Sequence, residues 1–345
     1  MKIIFYSNQL TERGTETALI DYAYACQNIL KYTCILAFPK ERIFDKERYF
    51  SLKKDFEILE TTSICTLKTY ITIHNVDLLY IISPGRSHDI ADDITECKTF
   101  VHCVFSTARK HGTYYITIHD WVNKAFHTNY KVLPHIVKKI NGIKTNLKNK
   151  LNIPENALVF GSYGGKDQFN IDFVKKTIKE IAISNPSIFF IFMNIRNFTE
   201  DDSCTKYKNI IFLEGSSNQR DKIEFINTCD AMIHARKDGE TFGLSIAEFS
   251  VQNKPIITFN PGFLYTIKDN ILDFLGKRRK YDRAHIMNLG KKGLYYKNKK
   301  TLKTLLIHFQ KFVQVSKNEE NYFDVFSQKF SPEKVINIFN KIISK

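Results

Sequence analysis

The chain has 345 residues and 40.3 kDa, 43% hydrophobic and 25% charged, a length that favours two domains and a composition that excludes wholesale disorder. Its longest apolar run, Ile188–Met193, is far shorter than the roughly 20 residues of a membrane-spanning helix, and Ile3–Tyr6 falls short of the roughly 7–15 apolar residues of a secretory signal. The net charge of +15 is uneven: residues 1–135 carry 16 basic and 15 acidic side chains and residues 136–345 carry 35 and 21, which suits phosphate esters, an acidic membrane surface or nucleic acid as partners.

In chain order, Lys2–Tyr6 reads as a strand, followed by a glycine-containing loop and a helix from about Thr15 to Leu30. Cys34–Phe38, Asp77–Ile82, Thr99–Phe105 and Tyr114–Ile118 are further apolar runs of strand length. Strands alternating with helical or loop segments imply parallel β-α-β units. Pro134–Pro154 is polar, basic and proline-bounded, which marks an interdomain connection. The pattern then restarts. Strands are expected at Ala157–Gly161, Ile188–Met193, Ile210–Leu213, Ala231–His234 and Pro255–Phe259, and helices at Asn170–Ser184, Arg220–Thr228 and Leu244–Gln252. A last helix, Pro332–Ser344, carries Val335, Ile338, Phe339 and Ile342 as its apolar stripe. Two similar α/β halves with a site in the cleft between them fit this order.

The cysteines Cys26, Cys34, Cys65, Cys97, Cys103, Cys204 and Cys229 make an odd number with no C-x-x-C pair. That argues against a disulfide scaffold or zinc ribbon and for a reducing cytoplasm. No Asp-x-Asp pair stands at a strand end where a metal would be expected: Asp92-Asp93 and Asp201-Asp202 are adjacent pairs in polar surroundings.

The most informative stretch runs from Asp230 to Glu248. A short strand ends near His234, a loop with Gly239 follows, and a helix begins around Phe242–Gly243. The N–H groups of Gly243 and Leu244 are then orphan donors at a helix N-terminus, suited to a diphosphate. Glu248 lies five residues on, roughly 7.5 Å along a helix axis, about the reach from a diphosphate to a ribose. A carboxylate there can accept from vicinal hydroxyls. Glu240 precedes the helix, where it could face a sugar or leaving group. By spacing alone, a helix-terminus carboxylate and an ordinary surface glutamate are the favoured reading.

Glu240-Thr-Phe-Gly-Leu-Ser-Ile-Ala-Glu248, followed by Asn253-Lys-Pro-Ile-Ile-Thr258, resembles the donor-binding signature of retaining GT-B-fold glycosyltransferases with an E-x7-E motif, the group 1, family 4-like type. The resemblance implies two Rossmann-like domains: an acceptor domain at 1–137, a donor domain at 138–330, and a helix at 331–345 returning to the first. It implies a nucleotide diphosphate-sugar donor as substrate, no cofactor, and a retaining, metal-independent transfer. Glu248 is assigned to the donor ribose and Glu240 to the transferred sugar.

Other residues follow from the same resemblance. Asn8-Gln-Leu-Thr-Glu-Arg-Gly14-Thr-Glu16 is, read alone, either a polar turn or a phosphate loop; the family's first loop brings a glycine to the donor phosphates, which implicates Gly14 and, more weakly, Thr15. Gly161-Ser-Tyr-Gly-Gly-Lys166 is the second glycine loop. There the family has an arginine after the first glycine and a lysine further on. Gly161 and Lys166 match, Ser162 replaces the arginine, and Arg236 on the neighbouring loop is the candidate substitute. The replacement motivates an alternative, a nucleotide-sugar-binding protein without transferase activity. His102, in an apolar run, reads as a core residue; the family's histidine beside the reacting sugar makes it a catalytic candidate. His119-Asp120 reads as structural. Leu133–Val137 resembles the family's crossing strand. The runs Lys277–Lys280 and Lys291–Lys300, the second interleaved with Tyr295 and Tyr296, read as a solvated face, with docking to an anionic surface or to nucleic acid as the functional alternatives. The acceptor, whether glycan, lipid or protein, is left open.

Overall fold

The structure is a computed structural model that describes residues 1–199, 207–275, 281–314 and 319–344. Cys204, Asp201-Asp202 and the Lys277–Lys280 run lie outside the described residues. The chain divides into two units, residues 1–136 with 329–345, and residues 137–328.

The first unit is built on a six-stranded sheet of β1 (Lys2–Tyr6), β2 (Thr33–Pro39), β3 (Glu57–Thr61), β4 (Leu78–Ser83), β5 (Lys98–Cys103) and β6 (Tyr114–Thr117). All pairs are parallel and the spatial order is β3-β2-β1-β4-β5-β6. Its inner strands are continuous apolar runs such as Ile3-Ile4-Phe5, buried on both faces, as parallel sheets require. β3 was not expected. It is an edge strand whose Glu57 and Glu60 accept hydrogen bonds from Tyr70 and Tyr49, so its polar residues hide it from a search for apolar runs.

The last helix, Pro332–Ile343, starts with Ser331 as N-cap and Pro332 in its first turn, and it packs on this unit. Phe339 meets Tyr22, Tyr80 and Phe100, and Tyr32 donates to Asn340 at 2.7 Å. Its buried stripe is Val335, Ile336, Phe339, Ile342 and Ile343; Ile338, expected in the stripe, lies at the exposed edge.

The second unit repeats the plan with β7 (Leu158–Tyr163), β8 (Ile188–Met193), β9 (Ile210–Leu213), β10 (Ala231–His234), β12 (Ile256–Phe259) and β14 (Leu294–Tyr296), in the spatial order β14-β12-β10-β7-β8-β9. The short β11 (Gly239–Glu240) and β13 (Asp282–Arg283) pair separately. Both large sheets have the doubly wound 3-2-1-4-5-6 order, whose direction reverses between β1 and β4 and between β7 and β10. β14 lies inside the Lys291–Lys300 run. Tyr296 is buried there and donates to the His234 carbonyl at 2.8 Å, and Tyr295 donates to the Gly290 carbonyl at 2.7 Å. These aromatic rings serve the fold rather than forming a stacking platform for bases. No helix among the described residues is long and apolar enough to cross a membrane.

Candidate functional site

Ligands of doubly wound sheets bind beyond the carboxyl ends of the strands at the reversal point. In the second unit those ends are Tyr163 of β7 and His234 of β10. The segment after β10 is tied in place by Asn170: its N–H donates to the Ala235 carbonyl at 2.9 Å, and its side chain accepts from the Lys237 N–H at 2.7 Å. Gly239 and Glu240 then pair with Asp282 and Arg283. Gly239 has φ +69°, and a Cβ there would stand 2.0 Å from the Asp282 carbonyl oxygen, so only glycine fits the pairing.

Gly243, at φ 86° in the left-handed region, caps the Leu244–Val251 helix. Its N–H and that of Leu244 belong to the first turn, whose amides lack helical acceptors. Glu240 lies against Gly243, with its Cβ and Cγ 3.4 Å from where a Gly243 Cβ would be. One carboxylate oxygen of Glu240 accepts from His234 Nε2 at 3.3 Å and the other from Arg236 Nη1 at 2.7 Å. Burial alone would push this carboxyl up; the Arg236 charge and the bonds from His234 and Arg236 outweigh it and hold Glu240 at about 2. The Arg236 guanidinium is thereby committed to Glu240 through one arm.

Glu248, four residues into the helix from Leu244, accepts a hydrogen bond from Tyr163 at the end of β7. The Tyr163 ring stacks on Phe249 at 5.7 Å and meets Phe225 edge-on at 5.9 Å. Burial, then the Glu248 charge, push the Tyr163 hydroxyl well up, so it remains a donor. The two motif glutamates are thus each held by a residue from the end of a sheet strand. Neither Tyr163 nor His234 was among the expected site residues. Strand alternation could have found Tyr163, which shares a face of β7 with Gly161.

The second glycine loop differs from expectation. β7 continues through Tyr163, two residues past Gly161. Gly161 is inside the strand, where a Cβ would meet Cys229 Sγ at 2.2 Å and Phe225 at 3.3 Å. This glycine makes room for the Gln219–Thr228 helix and its C-cap Cys229, and gives no ligand access. Ser162 is also within the strand and buried, so it does not occupy a phosphate-facing loop position. The loop proper is Gly164–Gln168. Its backbone is tied by Asn194 Nδ2 to the Gly164 carbonyl at 2.9 Å and by the Arg196 N–H to the Lys166 carbonyl at 2.9 Å, and the Lys166 side chain is exposed.

In the first unit Gly14 opens the Gly14–Asn28 helix. Thr15 donates its hydroxyl to Glu16 at 2.8 Å, and Gln9 donates to the other Glu16 oxygen at 3.0 Å, so a buried carboxylate already stands in this first turn. His102 is wholly buried. Its Nδ1 is 2.6 Å from the Tyr80 hydroxyl and its Nε2 is 2.7 Å from the Leu133 carbonyl, and burial lowers it to about 3. As placed, neither ring nitrogen is left for a substrate, and the side chain acts as a core residue. His119 Nδ1 accepts from the Trp121 N–H at 2.9 Å and so caps the Asp120–Ala125 helix. Asp89, Asp92 and His111 also converge in this unit, where Arg109 bonds Asp92 at 2.7 Å and lowers it to about 2.

No protein-family model matches the chain, and no curated protein matches it. Solved structures do. HepE (Alr3699) of Anabaena in complex with UDP and glucose is similar at TM-score 0.71 and 16% identity, covering 100% of both chains. A glycosyltransferase of Rickettsia africae is similar at TM-score 0.67 and 14% identity, covering 100% of this chain and 99% of that one. WaaG, a glycosyltransferase of lipopolysaccharide biosynthesis, is similar at TM-score 0.60 and 11% identity, covering 97% and 99%. At these identities the likeness is one of fold: the α/β architecture is that of GT-B glycosyltransferases.

Proposed function

We propose that the chain is a glycosyltransferase that moves a sugar from a nucleoside diphosphate-sugar to an acceptor. The observation that carries this reading is the pair of held glutamates around one helix N-terminus, Glu240 before it and Glu248 in it, at the reversal point of a doubly wound sheet. Similar folds whose structures contain UDP or UDP-glucose support a uridine nucleotide as the first ligand to test.

In this reading Glu248, oriented by Tyr163, accepts from the ribose hydroxyls. The amides of Gly243 and Leu244 and the Lys166 ammonium meet the diphosphate. The two amides are fixed by the helix start before charge develops on the leaving group, which is electrostatic stabilisation without reorganisation. Glu240 remains ionised and accepts hydrogen bonds from the sugar. With one bond already on each carboxylate oxygen, it is poorly disposed to act as a nucleophile. Transfer is proposed to retain the anomeric configuration, to need no metal or cofactor, and to take place in the cytoplasm. Gly14 and Thr15 are proposed as further phosphate contacts, and an anionic surface is proposed as a second partner of the basic half.

The test is binding of UDP and UDP-glucose by isothermal titration, followed by release of UDP from UDP-glucose with and without EDTA. Binding and turnover that survive chelation support the reading. Turnover abolished by EDTA and restored by Mg²⁺ or Mn²⁺ overturns its metal-independent part, and binding without any turnover favours a nucleotide-sugar-binding protein.

A further inference from the structure

Behind Glu240 lies a buried polar row. His234 and Thr258 stand opposite each other in the register of β10 and β12, and Thr258 Oγ1 is 2.9 Å from His234 Nδ1. The other ring nitrogen, Nε2, reaches Glu240. His234 is 5% exposed and Thr258 0%. The His285 ring packs 5.2 Å from that of His234 and is fully buried. The charged groups nearby include Arg236, Asp238, Asp282 and Arg283, with the titratable Tyr281 hydroxyl beside them.

We infer that His234 is a positioning residue for Glu240, with Thr258 fixing the imidazole, and that this row sets which face of the carboxylate is offered to the sugar of a bound nucleotide sugar. The inference rests on the donor-binding reading above. An ionised carboxylate only accepts, so His234 Nε2 carries a hydrogen in either charge state of the ring. When the ring is neutral, the Thr258 hydroxyl donates to Nδ1.

A carboxylate offers about four lone-pair sites. His234 takes one on the first oxygen and Arg236 one on the second, leaving one on each for hydroxyl groups of a ligand. The two restraints differ in stiffness. Arg236 is a long side chain on an irregular segment, whereas the His234 ring is packed at a strand end and bonded to the next strand. Removing the imidazole donor therefore leaves the carboxylate free to turn with Arg236. Nucleotide affinity is untouched by that motion, because the ribose and diphosphate are held by other groups; affinity for the attached sugar is lost.

The experiment compares His234→Leu, which removes the donor, with His234→Gln, whose amide can replace Nε2–H. Thr258→Val is a third variant that keeps the imidazole and loosens it. UDP and UDP-glucose affinities are measured by isothermal titration, and the Glu240 carboxyl is titrated by carbon-detected NMR. For His234→Leu the expected results are UDP affinity within about twofold of wild type, UDP-glucose affinity lower by about 10-fold, the low end for a bond to a charged group, and a carboxyl that titrates at higher pH. His234→Gln should restore both, and Thr258→Val should shift both in the same direction by less. An unchanged ratio of UDP-glucose to UDP affinity in His234→Leu overturns the inference, as does an unmoved carboxyl titration. If the wild type binds neither nucleotide, the donor-binding reading falls, and the carboxyl titration alone decides whether His234 holds Glu240.

Discussion

Replacing Tyr163 with Phe removes one hydroxyl while keeping the ring stacked on Phe249 and edge-on to Phe225. The lost bond is the one to Glu248. A hydrogen bond to a charged group contributes about 1.5–3 kcal/mol. Glu248 is only half-buried, so water can replace the hydroxyl and the expected cost is nearer 1 kcal/mol, about a fivefold loss of UDP affinity. If Glu248 holds the ribose as proposed, Glu248→Ala should cost about 10- to 150-fold. In the proposed site Tyr163 acts on the nucleotide only through Glu248, so the two changes should not add. Isothermal titration of UDP against the four members of the double-mutant cycle reads this directly. Tyr163→Phe should weaken binding in the wild-type background and have no effect when Glu248 is Ala. Additive losses would mean that Tyr163 reaches the nucleotide by another route. Equal UDP affinity for wild type and Glu248→Ala would remove the ribose assignment altogether.

Gly161→Ala should destabilise the protein by about 1–3 kcal/mol, the usual range for overpacking, leave UDP affinity unchanged, and be rescued by Cys229→Ala; a change in UDP affinity without a change in thermal midpoint would restore a ligand-facing role. Lys166→Ala should weaken UDP more than uridine, with the difference shrinking as salt is added; equal effects on both ligands would place the ammonium away from the phosphates. Glu240, held at about 2 against an unfolded value near 4.3, stabilises the fold fully above pH of about 4.3 and loses that contribution as pH falls through about 2. Denaturant titrations should therefore show a gap between wild type and Glu240→Gln, on the order of 3 kcal/mol at neutral pH, that closes toward pH 2; a pH-independent gap would show that the carboxyl is not depressed.

The alternation of apolar strand runs with helices was legible in the amino-acid sequence because it is local chemistry. Ile3-Ile4-Phe5, Phe190–Met193 and Ala231–Ile233 are buried on both sheet faces, and a strand segment so placed is apolar throughout. The eight-residue offset from Glu240 to Glu248, with Gly243 between them, was legible for the same reason, since a helix start needs only neighbours in the chain. Where burial was one-sided or the element short, the signal failed: β3 carries Glu57 and Glu60, and β14 is three residues within a lysine run. Tertiary structure alone decided what the site residues touch. Tyr163 meets Glu248 across 85 positions, and Thr258 meets His234 across 24, because parallel strands bring together residues separated by whole crossovers. It also decided what each glycine is for. Gly161 and Gly239 look alike in sequence, yet one clears space for a cysteine sulfur and the other for a backbone carbonyl, since the atom that excludes a side chain comes from a distant segment.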